Sequence, residues 1–580
     1  MAGTEQPFRQ DAGSLALTIG CALAVVAYDP SAPAADFKRV LGLVVGIAAC
    51  GWQLASWKRQ ANHVTAGLVA WIGFAMLSGL SLAWGRTQGQ NDLACWVACG
   101  CVGVAALGID GKQRERAVVE AAFAAGSVAS MVAIVQVVAG ARGLLVHGGQ
   151  GNGNWLGLLL AITIPLSVGL LQERRRPRDR AWPALAALVA VQGAALALSQ
   201  SRTAWVALAA AGLGWRCRRA SLQRSTVALA IGCASLLLVA SLRQPAATSS
   251  QTHAETPSIP SSAATSFDGR LRIWRASADA AAEYLPWGAG LGSFAHVYLA
   301  AQGKRLAQVA PAEASRTFEN ATTAHNDWLQ ACVESGLLAP LLLAAALVSA
   351  AEGMRRSGFF HGFSATIALA VCAAADSPWR QPGVALLAGL LLASGAWTIR
   401  LRVPRAALLV AAIACAALLL ARSTETWVAA RLETQAREAP VERRMALLKR
   451  AVAAAPASGE ALLELGIAHQ ELGDPRGALP LLQTSREMLA NVGTDVAIGN
   501  AHLALGDAIS AAADFERAVH LHPGGFRARV NLAEALRHLG RLEEAFGQLR
   551  VAKTLYPGHP KLRELQLRLE NDRIERDVAR

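Results

Sequence analysis

Long apolar runs separated by short basic loops fill the first 421 residues, after which a different rhythm takes over. Runs long enough, or nearly so, to cross a bilayer fall near 14–28, 38–56, 64–84, 92–109, 117–139, 154–171, 182–198, 203–216, 225–242, 327–350, 359–375, 383–399 and 406–421. Each approaches the roughly 20 apolar residues that a spanning helix needs. The first and eighth are short, and the eighth reads equally as a tilted or re-entrant piece. Between the ninth and tenth runs the pattern changes. Residues 243–267 are rich in Pro, Ser, Thr and Ala and read as a flexible linker. From Asp268 to Tyr284 the spacing of Leu271, Trp274, Ala278 and Ala281/Ala282 predicts an amphipathic helix. The stretch Pro286–Phe294 (PWGAGLGSF) ends that helix in a glycine-rich turn, and a polar loop, 300–323, leads back to the apolar pattern.

Beyond residue 421 the chain repeats. Leu472-Gly473-Asp474, Leu505-Gly506-Asp507 and Leu539-Gly540-Arg541 recur at spacings of about 33 and 34 residues, the tetratricopeptide period. Gly466 pairs with Gly499, Ala478 with Ala511 and Ala545, and Pro523 with Pro557. Small residues let paired helices approach closely, and the prolines break the chain between units. Ala451 and Pro456 read as the tail of an earlier, degenerate unit, and 561–580 as a solvating cap helix.

Composition agrees with a membrane protein that carries a soluble part: 53 % of residues are hydrophobic and mean hydropathy is +0.32. A net charge of +14 raises nucleic acid as a partner. The basic residues sit instead in short loops such as Arg174–Arg176 and Arg216/Arg218/Arg219, the pattern of cytoplasmic membrane loops, so no nucleic acid is expected. With the runs alternating, roughly twenty Lys and Arg fall on one side and about six on the other. That bias places the N-terminus in the cytoplasm, and 243–326 and everything after 421 outside, in the periplasm of a bacterial inner membrane. The expected organisation is a transmembrane bundle (1–242), a large periplasmic loop (243–326), further transmembrane helices (327–421) and a periplasmic repeat domain (422–580). The N-terminus, with Arg9 alone before the first run, reads as an uncleaved span. The ten cysteines lie mostly inside apolar runs and outline no disulfide framework. Cys95, Cys99 and Cys101 have no His or carboxylate companions and read as small packing residues, so neither a metal nor a cofactor is expected.

Candidate chemistry gathers on the outer side. Arg202 lies between runs seven and eight, Arg270 in the outer loop, and His325-Asn326-Asp327 at the start of run ten. Arginine presents a fixed fork of charged donors suited to a pyrophosphate. Histidine can bind a phosphate oxygen or take a proton from an attacking hydroxyl. Taken singly, Arg202 is also a plausible snorkelling anchor, Arg270 a solvated helix charge, and His325 with Asn326 a helix cap.

The order SRT…GRLRIW…PWGAGLGSFAHVY…AHNDWLQACVESG resembles the O-antigen ligase/polymerase superfamily, which includes polysaccharide ligases, polymerases and protein O-oligosaccharyltransferases. GNGNWLG (Gly151–Gly157), with Asn154, is similar to that family's asparagine-containing start of a membrane helix. The resemblance spans roughly 14–421. It implies an all-α, glycosyltransferase-C-like polytopic bundle of about 12–13 spans, here followed by an α-solenoid of tetratricopeptide repeats. It also implies a metal-independent transferase acting on a polyprenyl-pyrophosphate-linked glycan. Arg202 and Arg270 would hold the pyrophosphate, His325 would assist the acceptor or leaving group, and Asn154 and Asn326 would contact substrate. The acceptor stays open between a glycan, a lipid core sugar and a protein hydroxyl. The added repeats suggest a protein partner.

Other positions are ambiguous. Glu334 reads equally as the buried partner of an arginine or as a packing polar group. Asp376 and Arg380, in DSPWRQP, read first as a structural turn. Gly288, Gly290 and Gly292 look like part of a dinucleotide fingerprint, but without a preceding strand a tight turn near substrate is the better reading. A non-catalytic scaffold presenting the repeats is the alternative from another class. A transporter would want paired charges or broken helices at mid-membrane, and the runs are mostly free of interior charge.

Overall fold

The computed structural model describes residues 12–29, 31–56, 63–86, 88–141, 145–173, 181–216 and 267–578. The linker 243–267, except its last residue, and the apolar run 225–242 lie outside the described residues. The described chain is helical almost throughout. In order the helices are α1 (Ala12–Val26), α2 (Ala34–Ala55), α3 (Ala66–Ser81), α4 (Gly89–Ala106), α5 (Gly111–Val138), α6 (Gly153–Glu173), α7 (Trp182–Leu198) and α8 (Arg202–Arg216). After the undescribed stretch come α9 (Phe267–Tyr284), α10 (Phe294–Leu306), α11 (Pro311–Thr317), α12 (Asp327–Ser335), α13 (Leu338–Ser357), α14 (Phe360–Ala375), α15 (Pro382–Ala393) and α16 (Arg405–Arg437). The repeat region supplies α17 (Val441–Ala454), α18 (Gly459–Glu471), α19 (Pro475–Met488), α20 (Val492–Ala504), α21 (Ala508–Leu521), α22 (Phe526–His538), α23 (Leu542–Leu555) and α24 (Pro560–Val578).

Two compact units form. The first takes Met1–Arg243, Leu285–Gly292 and His325–Trp427; the second takes Gln244–Tyr284, Ser293–Ala324 and Val428–Arg580.

In the first unit, α2, α5, α6, α13 and α16 are long and apolar enough to cross a membrane, and α3, α7, α14 and α15 are shorter apolar helices. Small residues bring their backbones together, as packing between helices in lipid requires. A methyl group at Gly389 would come within 2.3 Å of the Cys99 carbonyl, and one at Gly67 within 2.9 Å of that of Ala346. Three apolar runs depart from the expected pattern. Run 327–350 is not one helix: Gly336, at φ 77°, breaks it between α12 and α13. Runs 64–84 and 383–399 carry a short antiparallel ribbon beside their helices, β1 (His63–Thr65) with β2 (Thr398–Arg400). Its backbone pairing is non-local, so hydropathy could not show it.

In the second unit the repeats fold as read. Gly473, Gly506 and Gly540 have φ between 70° and 82°, the left-handed turn that glycine adopts without penalty. Asp474 and Asp507 then cap the next helices, accepting from the backbone N–H of Gly477 at 2.9 Å and of Ser510 at 3.0 Å. Gly466 and Gly499 lie against Leu482 and Phe515 of the paired helices. The end of α16 and α17 form an earlier pair, burying Ala436, Leu448 and Ala451. The last helix, α24, buries Leu562, Leu565 and Leu569. The loop helices pack into this same unit. Phe318 stacks on His522 at 3.9 Å between ring centroids, and a methyl at Gly303 would meet the His520 carbonyl at 2.7 Å.

Candidate active site

His325 and Gln200 are the non-glycine residues with positive φ among the described residues, at 47° and 54°. Each stands next to a sequence motif at the start of a helix. Left-handed backbone is costly for a side chain with a Cβ, about 1–3 kcal/mol, and persists where the surroundings impose it.

Around His325 those surroundings are visible. Asn326, 4 % exposed, caps α12 by accepting from the Leu329 N–H at 3.0 Å, so its side-chain oxygen is committed to backbone. His325 Nδ1 lies 3.5 Å from Oδ1 of buried Asp376, long for a hydrogen bond but correctly placed to orient the ring. Asp376 itself ends α14, and its Oδ1 accepts from the Ser377 N–H at 2.9 Å.

Below this pair sits Arg380, whose side chain is 7 % exposed and reaches three carboxylates: Asp92 at 2.9 Å, Asp327 at 2.5 Å and Glu334 at 2.9 Å. Asp327 also accepts from the Trp379 N–H at 3.1 Å, and Glu334 from the Gly292 N–H at 3.1 Å. The guanidinium lies over Trp96, 5.6 Å from the ring centroid. Trp96 continues through Phe74 and Trp71 to Trp379 in one aromatic cluster. One cation thus ties α4, both ends of α12, the glycine-rich stretch and the 378–380 turn. Arg380 stands in the structural turn read from DSPWRQP, and its fork is used on every side as well. Glu334 is its partner.

The glycine-rich stretch is the expected tight turn. Gly288, Gly290 and Gly292 have φ of 81°, 94° and 82°, and methyl groups there would strike the backbones of Gly336, Gly85 and Gly89. Leu291 seats the stretch on the α3–α4 connection: its N–H donates to Ser81 Oγ at 3.1 Å and its carbonyl accepts from the Arg86 N–H at 2.9 Å.

Arg202 opens α8 and is exposed, while Ser199 and Ser201 before it are buried. A methyl at Gly157 would come 2.4 Å from Ser201 Cβ and 3.0 Å from Ser199 Oγ. Asn154, one turn earlier on α6, therefore begins its helix beside the turn that presents Arg202. Helix α8 packs along α14, with Gly214 against Ile367 and Phe363. Extensive packing with the end of one helix at the start of the other means that the two run antiparallel. Arg202 accordingly falls at the same end of the pair as Asp376 and His325.

Arg270 belongs to the second unit and is 9 % exposed. One turn further along the same face, the Trp274 indole N–H donates to the Ala324 carbonyl at 2.9 Å, and Ala324 immediately precedes His325 in the chain. Arg272 reinforces the link through Glu319 at 2.5 Å.

Among solved structures, the chain is similar to MamA at 18 % identity over 27 % of this chain and 86 % of that one, with a TM-score of 0.24. It is similar to yeast Tom70 at 10 % identity over 84 % and 90 %, TM-score 0.23. It is also similar to the APC/C hetero-tetramer Cut9–Hcn1 at 11 % over 92 % and 83 %, TM-score 0.23. TM-scores this low carry no argument. No curated protein matches the chain. Over residues 184–344 the chain is similar to the O-antigen ligase family, which supports a membrane glycan-transferring, ligase-like role, and over residues 496–560 it carries a tetratricopeptide repeat.

Proposed function

We propose that this protein transfers a polyprenyl-pyrophosphate-linked glycan to an acceptor hydroxyl at the periplasmic face of the bacterial inner membrane, without a metal. The observation that carries the reading is His325, held in a strained backbone beside buried Asp376. With Nδ1–H turned to the Asp376 carboxylate, Nε2 is the free base. It takes the proton of the acceptor hydroxyl as the acceptor oxygen bonds to the anomeric carbon. The bond from that carbon to the pyrophosphate oxygen breaks, and the electron pair leaves on the pyrophosphate. Arg202 and Arg270 hold the charge that develops there, the preorganised electrostatic help that is commonly the largest catalytic contribution.

A groove of about 250 Å³ along α6, α8 and α14, lined by Ile164, Pro165, Val168, Leu208, Ala211 and Trp215 among others, supports this reading. It lies on the helix that Arg202 opens, about 9–20 Å along the axis. A polyprenyl tail hanging from a pyrophosphate at Arg202 would run into it. The acceptor is taken as a glycan or lipid core sugar in surface polysaccharide synthesis. A protein hydroxyl is the alternative, favoured by the repeats packed on the loop that leads to His325.

Arg202→Ala, Arg270→Ala and His325→Ala should each abolish transferred glycan in cells while the protein still inserts in the membrane. Normal surface glycans from all three variants would refute the assignment.

A further inference from the structure

A second cleft, of about 230 Å³, opens within the second unit. Its floor is apolar: Ala436, Leu448 and Leu463 are buried there. Its rim alternates hydrogen-bond acceptors and donors: the carboxylates of Glu433, Glu460 and Glu464, the guanidinia of Arg437 and Arg444, and the amides of Asn320 and Asn491. Part of this set is already engaged. Glu433 accepts from Ser458 at 2.8 Å, Arg444 pairs with Glu471, and Asn491 Oδ1 accepts from the Gly493 N–H at 2.8 Å. Glu460 and Glu464 are exposed and make no ion pair among the described residues.

We propose that this cleft is a sugar-binding subsite, holding one uncharged ring of the glycan chain during transfer. The inference rests on the transferase reading above. An apolar floor fits the C–H face of a pyranose. A rim that both accepts and donates suits hydroxyls, each of which does both, and the mixed charges select for no strongly ionised ligand. The volume falls short of the roughly 300–1,000 Å³ of drug-sized pockets, which limits the occupant to a single residue of a longer chain. Asn320 and Thr322 both line the cleft, five and three residues before His325 in the chain. A ring seated there bears directly on the segment whose Ala324 carbonyl Trp274 holds.

The probe is the producing strain's own glycan, released from its polyprenyl pyrophosphate by mild acid and fluorescently end-labelled. Its binding to the full-length protein in detergent is read by anisotropy. Glu460→Ala/Glu464→Ala should bind it about ten-fold or more weaker than the wild type, through loss of charged acceptors, with an unchanged melting curve. Arg202→Ala should bind it as the wild type does. Inhibition of transfer by free glycan that is competitive with the lipid-linked donor identifies the donor's chain as occupant; competition with the acceptor identifies the acceptor. Absent saturable binding, equal binding by the double variant, or displacement by a sugar-free Ser/Thr/Pro-rich peptide overturns the subsite. Failure of the subsite while Arg202→Ala abolishes transfer leaves the transferase reading standing. Glycan binding lost only in the double variant, with surface glycans normal in Arg202→Ala, Arg270→Ala and His325→Ala alike, sinks the transferase reading instead.

Discussion

Replacing Arg380 by methionine strips one cation from three carboxylates at once. Asp327 and Glu334 are only 2 % exposed as side chains, and Asp92 is 23 % exposed. Breaking a buried pair by removing one partner costs about 3–5 kcal/mol, because the remaining charge is left uncompensated. Here at least two such charges remain, so the loss in Arg380→Met should reach the top of that range. Arg380→Lys keeps a charge but offers a point ammonium in place of a planar fork. It can satisfy one carboxylate fully and should fall between methionine and wild type. Arg380→Met/Asp327→Asn/Glu334→Gln removes the buried charges together with their partner, so it should recover most of the stability that Arg380→Met loses.

Transfer should not follow stability. Asp327 is the first residue of α12, two positions after His325, so a looser hub lets the imidazole drift. A misplacement of about 1 Å can cost roughly 10²-fold in rate. Arg380→Lys and the triple variant should therefore remain folded yet transfer poorly. The assay is thermal melting of the purified full chain in detergent beside glycan transfer by the same preparations. Wild-type melting and transfer in Arg380→Met would refute the hub, as would a triple variant no more stable than Arg380→Met.

Asp376→Asn keeps the oxygen that accepts from the Ser377 N–H but loses the charge that steadies an imidazolium. Transfer should fall roughly 10²-fold or more without a change in melting, and unaltered rates would remove Asp376 from the mechanism. Gly157→Ala forces a Cβ to 2.4 Å from Ser201 Cβ, displacing the turn before Arg202. Donor affinity should weaken most, seen as a raised KM for the lipid-linked glycan, and an unchanged KM would separate that turn from the donor site. His522, stacked on Phe318, has its pKa lowered to about 4, first by burial and then by Arg529. It is neutral when folded but protonates below about 6.5 when unfolded, so its contribution is complete above pH 6.5 and is lost as pH falls toward 4. That contribution is at most about 3 kcal/mol. His522→Phe keeps the stack and should lose less stability than the wild type between pH 7 and pH 4.5; equal losses in melting temperature would refute this.

The repeats were legible because their code is local. Each Leu-Gly-Asp carries its own left-handed glycine and its own cap, so Gly473 with Asp474 and Gly506 with Asp507 announce their turns without reference to the rest of the chain. Arg202, Asn154 and His325 stand out as candidates for a related reason: polar groups at the ends of apolar runs contrast with lipid. Arg380 does not, since its partners lie 46 to 288 residues away in the chain. One signal was available. Asp327 and Glu334 are seven residues apart, two helical turns, and so share one face of an otherwise apolar segment. Two carboxylates on one such face require a buried cation, and the short turn DSPWRQP supplies one. The break at Gly336 was hidden because the backbone that crowds it, at Pro286 and Trp287, arrives from the glycine-rich stretch.

Local preference fails most openly at Gln200 and His325, and the two failures have a common physical basis. A left-handed non-glycine residue returns to ordinary backbone unless both sides of it are fixed. At Gln200 the fixing is steric: buried Ser199 and Ser201 flank it, and Gly157 leaves no space into which the turn could relax. At His325 it is bonded: Ala324 is held by Trp274 on one side, and Asn326 and Asp327 by the helix cap and Arg380 on the other. Substituting asparagine, which tolerates this backbone, would test the chemistry of His325. Loosening Arg380 tests the constraint on it, and only the constraint explains why a histidine rather than a glycine can occupy that position.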